Sequence, residues 1–379
     1  MKIGIDAHNL EGGRTGVGRY LVNLLDNWNQ LNIPADLEFI LYFKSEIPKD
    51  IALSDKFQKK LLNISSNALF MHYGLPKAVK KDKADWLFCP GYIAPIFYKG
   101  KIALTLHDII YQAHPELYDW PSFWDKILLK KFSKISAKKA KIIFVPSEYS
   151  KKEVIEHHNI NTNKIFITPE AVDKSFISID NQDEIEKIKD KYQIKNKFIF
   201  YIGSIFNRRH LPETIKAFEK IAKELKDYQF LIVGINHTSP FIDINGLIKR
   251  VNQKLNREAI LHQDYLSGKD LILLYNAADL LIWLSDYEGF GLPVLEAMAC
   301  KTLVITSPVT SIPEVAGDSA IYIKDNSNIN EISEGIYNGL TDENLRQNLI
   351  NKGFIQAQKF SWEKCAQQTL DVLLNYGVK

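Results

Sequence analysis

One stretch constrains this chain more than any other: it runs from Leu280 to Lys301 and reads LLIWLSDYEGFGLPVLEAMACK. Its first residues are all bulky and apolar, as expected of a strand that is buried on both faces of a parallel sheet. A polar loop and a glycine-punctuated turn follow. Pro293 then suits the first turn of a helix, because its missing N–H would have no partner there. The stretch therefore predicts a strand, a loop and a helix, the repeating unit of an α/β fold.

Two carboxylates in this stretch need a partner. The predicted helix from Val294 to Cys300 is apolar except for Glu296, and a buried carboxylate is costly unless something hydrogen-bonds to it. Glu288 lies in the preceding loop, whose amides stand at a helix N-terminus and therefore favour anions. A nucleotide sugar offers phosphates to such amides and hydroxyls to such carboxylates. The residues alone leave a second interpretation open, an ordinary strand–loop–helix unit in which Glu296 bonds to a neighbouring strand.

The order of residues here closely resembles a known family. EGFGLPVLEAMAC, from Glu288 to Cys300, together with the later SIPEVAGD, from Ser311 to Asp318, is similar to the retaining glycosyltransferases of family 4. The resemblance implies that Glu288 contacts the donor sugar as a catalytic residue and that Glu296 contacts the ribose. It also implies donor contacts from the backbone of the intervening turn, which consists of Gly289, Phe290, Gly291 and Leu292.

Two local features accompany the motif. Lys301 stands where the family commonly has glycine, and a left-handed helix cap costs a lysine ~1 kcal/mol more strain than a glycine. We interpret this as a local change in the cap that leaves the ligand site intact. Ser311 and Glu314 have the spacing of a capping box, and we predict that capping is the whole purpose of this serine.

Another candidate ligand-binding loop, which is basic, lies earlier in the C-terminal half of the chain. Residues 198–202 form an apolar run, and a helix is predicted to begin near Leu211, so Arg208 and Arg209 fall in the loop between strand and helix. Two guanidinium groups there can neutralise a leaving diphosphate. A solvated arginine pair is the alternative. The resemblance implies that Arg208 and Arg209 bind the donor phosphates, because family members place a basic pair at this position.

The N-terminal half begins with another strand, loop and helix. A predicted strand over residues 2–7 leads through the glycine-rich loop EGGRTGVGR into an amphipathic helix from Tyr20, an architecture that suits phosphate. It is not the dinucleotide fingerprint, because Leu21 stands where the third glycine is expected. The resemblance implies that Gly16 and Val17 contact the donor diphosphate through their backbone. A tight turn without a ligand is the alternative.

His107 and Asp108 directly follow the predicted strand over residues 102–106. The carboxyl ends of parallel strands line the ligand crevice in open α/β sheets. The segment TLHDIIYQAHPE also resembles the T-x-H-D segment of the family. The resemblance implies that His107 contacts the donor sugar or the acceptor, and that Asp108 orients it or satisfies nearby backbone. A purely structural pair is the alternative.

A basic segment over residues 125–141 carries seven lysines around a stripe formed by Leu128, Phe132 and Ile135. One interpretation is a solvated basic face above an ordinary buried stripe. The other is peripheral docking onto anionic lipid, where each lysine near the surface adds ~1 kcal/mol. The second interpretation suits an enzyme whose acceptor is a membrane lipid.

Composition excludes several classes of protein. A length of 379 residues with 46% hydrophobic and 25% charged residues predicts a globular protein of two or three domains. The net charge of +3 is too small to indicate nucleic-acid binding. The N-terminal stretch lacks the apolar core of a secretion signal, and the chain has no apolar run long enough to span a membrane. Three cysteines without metal-ligand spacing suit a reducing compartment, so we predict a cytoplasmic protein that works at the inner face of a membrane if the basic segment binds lipid.

The resemblance covers nearly the whole chain and implies the glycosyltransferase B architecture, α/β with two doubly wound Rossmann-like domains that face each other across a cleft. We predict an acceptor-side domain over residues 1–173 and a nucleotide-sugar-binding domain over residues 174–356. The last segment, residues 357–379, is predicted to be a helix that crosses back to the first domain.

The implied reaction moves a hexose from GDP-mannose or a UDP-sugar to a hydroxyl of a glycan or lipid-linked acceptor, in surface polysaccharide or glycolipid synthesis. The anomeric configuration is retained, by front-face attack in which the leaving phosphate accepts the proton. We predict no metal site and no cofactor besides the donor, because arginines and helix amides can stabilise a leaving diphosphate. A sugar-nucleotide epimerase of the same fold and a non-catalytic binding protein remain open, whereas a nicotinamide-dependent oxidoreductase would need the missing fingerprint.

Overall fold

The computed structural model describes residues 1–14, 16–118, 120 and 122–376. The chain divides into two compact units: Met1–Glu170 together with Ser361–Lys379, and Ala171–Phe360. Each unit contains one parallel sheet with helices packed against it. Within the described residues, no helix combines the length and the apolar character that crossing a bilayer requires.

The first unit is built on a seven-stranded sheet in the order β3-β2-β1-β4-β5-β6-β7, and every described pairing in it is parallel. Its strands are β1 (Lys2–Asp6), β2 (Glu38–Phe43), β3 (Phe57–Leu61), β4 (Trp86–Cys89), β5 (Lys101–Thr105), β6 (Ile142–Val145) and β7 (Ile165–Ile167). β4 and β6 are buried at every residue, as continuous apolar runs in a covered parallel sheet are. The order reverses between β1 and β4, which makes their carboxyl ends the topological switch point.

The helices of the first unit cover both faces of this sheet. They are α1 (Gly16–Gln30), α2 (Asn67–Leu69), α3 (Leu75–Lys81), α4 (Ile110–Ala113), α5 (Phe123–Lys139), α6 (Glu148–His158) and, at the end of the chain, α15 (Trp362–Asn375). α1 buries a stripe that includes Leu21, Leu24 and Trp28, with the spacing of an amphipathic helix. The indole Nε1 of Trp28 donates to the carbonyl of Ala366 at 2.8 Å, which fixes α15 against α1. Ser147 caps α6 as its position predicts, because its Oγ accepts from the N–H of Ser150.

The second unit is built on a six-stranded parallel sheet in the order β10-β9-β8-β11-β12-β13. Its strands are β8 (Lys197–Ile202), β9 (Tyr228–Val233), β10 (Ile260–Gln263), β11 (Leu280–Trp283), β12 (Leu303–Thr306) and β13 (Ile321–Tyr322). Its helices are α7 (Gln182–Lys191), α8 (Leu211–Ile221), α9 (Ile244–Leu255), α10 (Gly268–Ala277), α11 (Leu292–Ala299), α12 (Ile312–Ala316), α13 (Ile329–Thr341) and α14 (Glu343–Ala357). Here the order reverses between β8 and β11, the two strands that precede the arginine pair and the glutamate motif.

The predicted doubly wound class is confirmed in both units, and most predicted strands lie within a residue or two of their expected bounds. The exceptions have local causes. β3 carries the sequence FQKKL and buries only Phe57 on one edge of the sheet, so it lacks the apolar run of an internal strand. β13 is two residues long. α1 starts at Gly16 and not at Tyr20, because its first turn contains two glycines that hide the apolar period.

Candidate active site

A cluster of polar and charged side chains in the second unit lies at its switch point. β8 leads into a short turn, Asn207–Arg209, and β11 leads into the loop that carries Glu288. The two strands are neighbours in the sheet, so these loops leave the same edge side by side. Open α/β sheets bind ligands at this place.

Arg209 and Glu288 form an ion pair at the centre of this cluster. The Arg209 Nη2 and the Glu288 Oε1 lie 3.4 Å apart, and both side chains are largely buried. The Arg209 Nη1 donates to the carbonyl of Ser204 at 3.1 Å. Its guanidinium lies 4.0 Å from the ring centroid of Trp283, in a cation–π contact. The arginine is therefore held from three sides and presents a fixed positive charge beside the glutamate.

Some buried polar atoms of this cluster lack hydrogen-bond partners within the described part of the chain. They are the Arg209 Nε, the Glu288 Oε1 and the indole Nε1 of Trp283. The ion pair joins the Arg209 Nη2 to the Glu288 Oε1 and is not a hydrogen bond to that oxygen. The Arg209 Nε takes no part in it. Buried polar groups are almost always paired, and each one left unpaired costs ~1–3 kcal/mol. A ligand with hydroxyl or phosphate oxygens would recover part of that cost.

Arg208 faces a different neighbour. Its guanidinium lies 4.2 Å from the ring centroid of Phe206, and its carbonyl accepts a hydrogen bond from the N–H of Asp286 at 2.9 Å. The ring fixes the direction of the side chain, and the backbone bond ties the arginine turn to the loop before Glu288. Both arginines are therefore ordered by aromatic faces.

A histidine reinforces the tie between the two loops. The His210 Nε2 lies 2.7 Å from the Asp286 Oδ1, which also accepts from the Asn326 Nδ2 at 3.0 Å. Burial disfavours protonation of His210, but the hydrogen bond and charge of Asp286 outweigh it and raise the pKa of the imidazole. Burial also acts against ionisation of Asp286, and the bonds from His210 and Asn326 nevertheless lower the pKa of its carboxyl. The pair therefore carries opposite charges over a wide pH range.

The turn before α11 depends on a glycine. Gly291 caps the helix with φ 107°, where a β-carbon would stand 2.5 Å from the Ile312 Cδ1. The helix then begins with Leu292, with Pro293 in its first turn as predicted. Only glycine adopts this conformation without strain, so the shape of the turn before α11 depends on Gly291.

The prediction for Ser311 is wrong. It makes no side-chain cap on α12, and its Oγ donates instead to the carbonyls of Glu288 and Phe290, at 2.9 and 3.0 Å. The capping-box spacing is present, but the two carbonyls of the glycine turn compete successfully for the hydroxyl. Ser311 therefore braces the loop that carries the candidate catalytic glutamate.

Glu296 lies one helical turn into α11 and is 7% exposed. The hydroxyl of Tyr275, on the neighbouring helix α10, donates to its Oε2 at 2.8 Å, so a helix side chain holds this carboxylate. Burial and the charge of Glu296 raise the pKa of Cys300 to about 12. Lys301 has φ 59°, the left-handed conformation expected of a residue that replaces glycine at this cap.

In the first unit, His107 is held at both ring nitrogens. Its Nδ1 lies 2.6 Å from the Glu170 Oε1, and its Nε2 lies 2.9 Å from the carbonyl oxygen of Pro90. Burial lowers the pKa of the imidazole, but Glu170 outweighs burial and the net pKa is raised. Asp108 accepts from the Tyr92 hydroxyl at 3.3 Å and from the N–H of Ile110 at 3.2 Å. The carboxylate that orients His107 is thus Glu170, and Asp108 organises the backbone that follows.

The loop before α1 ends at a cavity of about 640 Å³ that lies wholly within the first unit. Val17 lines this cavity, and Gly16 has open space where its side chain would be. Asp6 and His8, at the end of β1, line it as well, with 2.6 Å between the His8 Nδ1 and the Asp6 Oδ1. The sequence predictions did not include this pair.

Comparison with known proteins gives the chain its family. The family described as Glycosyltransferase Family 4 matches residues 14–176, and the one described as Glycosyl transferases group 1 matches residues 183–356. The chain is 28% identical, over 396 aligned positions, to the O-antigen chain mannosyltransferase B of Escherichia coli, with 98% of this chain and 99% of that protein covered. It is 30% identical over 275 positions to the E. coli serotype-specific mannosyltransferase WbdA, where the match covers 72% of this chain and 33% of the relative.

The chain is a glycosyltransferase of family 4. Its fold is glycosyltransferase B. The structure of the Anabaena protein HepE in complex with UDP-glucose superposes with a TM-score of 0.73 at 14% identity, over 99% of this chain and 100% of that one. The structure of WaaG, a glycosyltransferase of lipopolysaccharide biosynthesis, gives 0.72 at 15% identity, over 98% and 99% of the two chains.

In this glycosyltransferase the predicted donor-side residues of the second unit come together at one edge of the six-stranded sheet. They are Arg208, Arg209, Glu288 and the turn Gly289 to Leu292, with Glu296 on the helix that follows. The predicted residues of the first unit, Gly16, Val17, His107 and Asp108, lie at the carboxyl edge of the seven-stranded sheet.

The supporting residues escaped the sequence analysis. His210 adjoins Arg209, and Asp286 lies two residues before Glu288, so their position in the loops after β8 and β11 was the available signal. Tyr275 and Glu170 lie far along the chain from the side chains that they hold, and no spacing rule connects them.

Proposed function

We propose that this glycosyltransferase moves a hexose from a nucleotide diphosphate sugar to an acceptor hydroxyl, with retention of configuration and without a metal. The observation that carries the proposal is the Arg209–Glu288 pair at the switch point of the second unit, with buried polar atoms that lack a described partner. The arginine suits a diphosphate and the carboxylate suits sugar hydroxyls.

Each donor group is assigned a partner in this proposal. Arg208 and Arg209 bind the diphosphate, and the amides of Gly289 to Leu292 add donors at the N-terminal end of α11. Glu288 binds hydroxyls of the transferred sugar. Glu296 binds the ribose hydroxyls, with Tyr275 holding its carboxylate in place.

The chemical step requires few protein groups. A bond forms between the acceptor oxygen and the anomeric carbon while the bond from that carbon to the donor phosphate oxygen breaks on the same face. The acceptor proton passes to the leaving diphosphate. Fixed positive charge near that diphosphate stabilises the transition state, which is what two arginines ordered by aromatic rings provide.

In the first unit, we propose that Gly16 and Val17 contact the diphosphate through their backbone and that His107 contacts the sugar or the acceptor. Both ring nitrogens of His107 face acceptors, the Glu170 carboxylate and the Pro90 carbonyl, so both carry protons. His107 therefore contributes a fixed positive ring and not a proton acceptor. Asp108 keeps the following backbone in position through Ile110.

The names of the relatives suggest which donors to test first. Two of them are named as mannosyltransferases, one of an O-antigen chain, so GDP-mannose is the first donor to test and a surface polysaccharide or a glycolipid is the proposed product. A UDP-sugar is the second donor, because the HepE structure contains UDP-glucose. Relatives named as transferases do not favour the epimerase alternative.

Donor binding is the direct test. Thermal unfolding is measured with GDP, UDP, ADP and NAD in turn, and a nucleotide at 100 times its dissociation constant adds ~2.7 kcal/mol of stability. That corresponds to a shift of ~5–10 °C at ~2–4 °C per kcal/mol. We expect GDP or UDP to stabilise the protein, whereas stabilisation by NAD alone would contradict the proposal.

The Glu296→Ala variant tests the ribose assignment. Loss of a hydrogen bond to a charged group costs ~1.5–3 kcal/mol, so donor affinity should fall about 10- to 150-fold. Tyr275→Phe is the matched control, because it removes the brace but keeps the carboxylate and should cost about tenfold or less. Unchanged affinity in Glu296→Ala would show that the ribose lies elsewhere.

Retention, metal independence and membrane contact have separate tests. The product linkage, read by NMR from the anomeric coupling, should match the donor anomer. Activity should survive dialysis against EDTA.

For the basic segment 125–141, most of which forms α5, we propose peripheral contact with an anionic membrane at the cytoplasmic face. Co-sedimentation with anionic vesicles in preference to neutral ones is the expected result, and equal binding to both would remove this part of the proposal.

A further inference from the structure

The loop that carries Glu288 is held along its backbone by a neighbouring loop, residues 307–311, which we call the hydroxyl loop. β11 and β12 are adjacent in the sheet, so the loops that follow them leave the same edge side by side. The Ser307 Oγ accepts from the N–H of Ser285 at 3.1 Å, and the Thr310 Oγ1 accepts from the N–H of Glu288 at 3.1 Å. Side chains of one loop therefore fix the backbone of the other.

Thr310 and Ser311 bind opposite sides of the same residue. The Thr310 hydroxyl accepts from the N–H of Glu288, and the Ser311 hydroxyl donates to its carbonyl at 2.9 Å. In an extended segment, neighbouring side chains point to opposite faces and would not both meet one partner. Here the chain turns at Thr310, and the N–H of Ile312 donates to the carbonyl of Val309 at 3.1 Å to close the turn. Both hydroxyls consequently reach Glu288.

This turn holds Thr310 in an unfavourable backbone conformation. Its φ is 52°, and of the residues that the structure describes it is the only β-branched one with φ in the left-handed region. Turns with a positive φ at the second position usually have glycine, asparagine or aspartate there, because a β-branched side chain is strained in this conformation. Glycine would remove the strain but would offer no hydroxyl to Glu288. The threonine is thus explained by its contact with the glutamate loop and not by the turn.

A shift of the Glu288 backbone would move its carboxylate. The Arg209 Nη2 lies 3.4 Å from the Glu288 Oε1, and the glutamate side chain is 14% exposed. Within the described residues, that oxygen has no hydrogen-bond partner. Its distance from the arginine and its direction both depend on the backbone from which it extends, and small displacements of a binding group are costly. Strained residues such as Thr310 are found where the surrounding structure fixes a functional geometry.

We propose that Thr310 is a positioning residue for the transfer reaction: its hydroxyl fixes the N–H of Glu288, so that the carboxylate is placed to bind the hydroxyls of the transferred sugar. Thr310 contacts neither the sugar nor the nucleotide and acts through Glu288. The inference rests on the proposed function, because that function assigns Glu288 to the sugar. It adds that the hydroxyl loop determines how well the sugar is bound and leaves the nucleotide unaffected.

The ratio of two affinities tests this role. Calorimetry without acceptor measures the dissociation constants of GDP and GDP-mannose for the full chain, and UDP with UDP-glucose replaces them if UDP is the nucleotide that stabilises the protein. Thr310→Val keeps the β-branch and removes the hydroxyl. We expect it to weaken GDP-mannose about three- to tenfold and to change GDP by less than about twofold. Equal changes for both ligands would show a role in folding alone and would overturn the proposal.

Two control variants separate the hydroxyl from the branch and from the chemical change. Thr310→Ser keeps the hydroxyl, and both affinities should stay within about twofold of wild type. Thr238→Val removes another buried threonine hydroxyl that accepts a backbone N–H, that of Ile242 at 2.8 Å, in the loop after β9. We expect it to leave the ratio of the two affinities unchanged. A fall of this ratio in either control as large as in Thr310→Val would overturn the proposal.

A double-mutant cycle tests whether Thr310 acts through Glu288. In a Glu288→Ala background, Thr310→Val should change the affinity for GDP-mannose by less than about twofold, because no carboxylate is left to position. A full additional loss would show that Thr310 affects the sugar by another route, which contradicts the proposal.

Hydrogen exchange of the Glu288 amide gives a readout without any ligand. In Thr310→Val this amide should exchange about three- to tenfold faster than in wild type, and in Thr310→Ser at the wild-type rate, because the serine still offers an acceptor. Unchanged protection in Thr310→Val would show that the hydroxyl does not hold the loop, and the proposal would be wrong.

The outcomes distinguish this inference from the proposed function. If GDP-mannose binds to the wild type and the ratio of the two affinities is the same in Thr310→Val, the inference fails and the transferase proposal stands. If the exchange becomes faster while the ratio is unchanged, Thr310 holds the loop without positioning the carboxylate, and the inference fails as well. If neither pair of ligands binds to the wild type, the proposed function fails and the inference fails with it.

Discussion

The contact between His210 and Asp286 connects the arginine turn to the glutamate loop, and it predicts that the stability of the fold depends on pH. The substitution His210→Gln should remove this dependence. His210 lies in the turn after β8, and its Nε2 is 2.7 Å from the Asp286 Oδ1. Glu213, 3.9 Å from the ring Nδ1, and Asp325 also raise the pKa of His210 and add to the effect of Asp286. In His210→Gln, a side-chain N–H can still reach Asp286, but the positive charge is lost.

The sign of the effect follows from the two pKa shifts. The folded pKa of His210 lies above its ordinary 6.5, so its contribution to stability is full below pH 6.5 and is lost as the pH rises through the folded pKa. The folded pKa of Asp286 lies below its ordinary 3.8, so its contribution is lost only as the pH falls through that lower value. The charged pair therefore stabilises the fold fully from about pH 4 to pH 6.5.

The magnitude follows from the geometry. A hydrogen bond to a charged group contributes ~1.5–3 kcal/mol and a neutral one ~0.5–1.5 kcal/mol. The Asp286 side chain is 35% exposed, so solvent screening brings the expected difference between wild type and His210→Gln to ~1 kcal/mol at pH 6. His210 has φ 48°, and any strain of glutamine in this left-handed conformation adds an offset that does not depend on pH.

Urea unfolding followed by tryptophan fluorescence at pH 6 and pH 9 measures the difference. The loss of stability in His210→Gln should be ~1 kcal/mol larger at pH 6 than at pH 9. In an Asp286→Asn background the pH dependence of this loss should shrink, because the largest favourable charge is gone and only Glu213 and Asp325 still raise the pKa of His210. A loss that is the same at both pH values in the wild-type background would refute the reasoning, since it would leave only the constant backbone offset.

Two further predictions concern the second unit and the cysteines. Gly234→Ala should destabilise the protein by at least ~3 kcal/mol in urea unfolding, because φ is 149° and a β-carbon would overlap the carbonyl oxygen of Gly203; wild-type stability would contradict the strained geometry. All three cysteines are buried, and burial raises the pKa of Cys89, Cys300 and Cys365 alike, so a thiol reagent at pH 8 should modify none of them in the native state and all of them in urea. Rapid modification of one native cysteine would show local opening around it.

The fold could be predicted well from the sequence because both compact units repeat the same strand–loop–helix motif. The strands of this motif are recognised from their apolar residues. Continuous apolar runs such as Leu280 to Leu284 and Ile142 to Val145 have few alternatives to a buried parallel strand. The missed strands fail this criterion, because β3 has a single buried residue and lies at an edge. Their pairing depends on the neighbouring strand and not on their own residues.

The candidate site residues of the second unit could be predicted together because they lie in the loops that follow two neighbouring strands. Arg208 and Arg209 follow β8 and Glu288 follows β11, so strand position and local motif agree. The groups that hold them were not predicted. Trp283 and Phe206 are apolar in the sequence, and only the folded arrangement shows that their ring faces lie against guanidinium groups.

Ser311 shows why a local pattern can mislead. Its spacing to Glu314 satisfies the capping rule, but the rule considers only the N–H groups of the following helix. In the fold, the carbonyls of Glu288 and Phe290 lie within reach and accept its hydroxyl. A hydroxyl donates to whichever strong acceptor the tertiary structure brings near it. A rule based on adjacent residues cannot take account of acceptors more than twenty positions away.

The two units place different chemistry at the same topological position. In each sheet the strand order reverses next to the first strand of the unit, and the loops after the two central strands define a site. In the second unit these loops carry Arg208, Arg209 and Glu288, with Glu296 on the helix that follows, and these groups fit the proposed charged donor. In the first unit Asp6 ends β1, His8 follows it, and both line a cavity whose other walls are mostly apolar and aromatic. Since the backbone topology is shared, we expect any difference in ligand preference between the two sites to depend on the residues at the ends of β1, β4, β8 and β11 and in the loops that follow them. Substitutions at these positions should therefore change ligand binding while the strands themselves keep the fold.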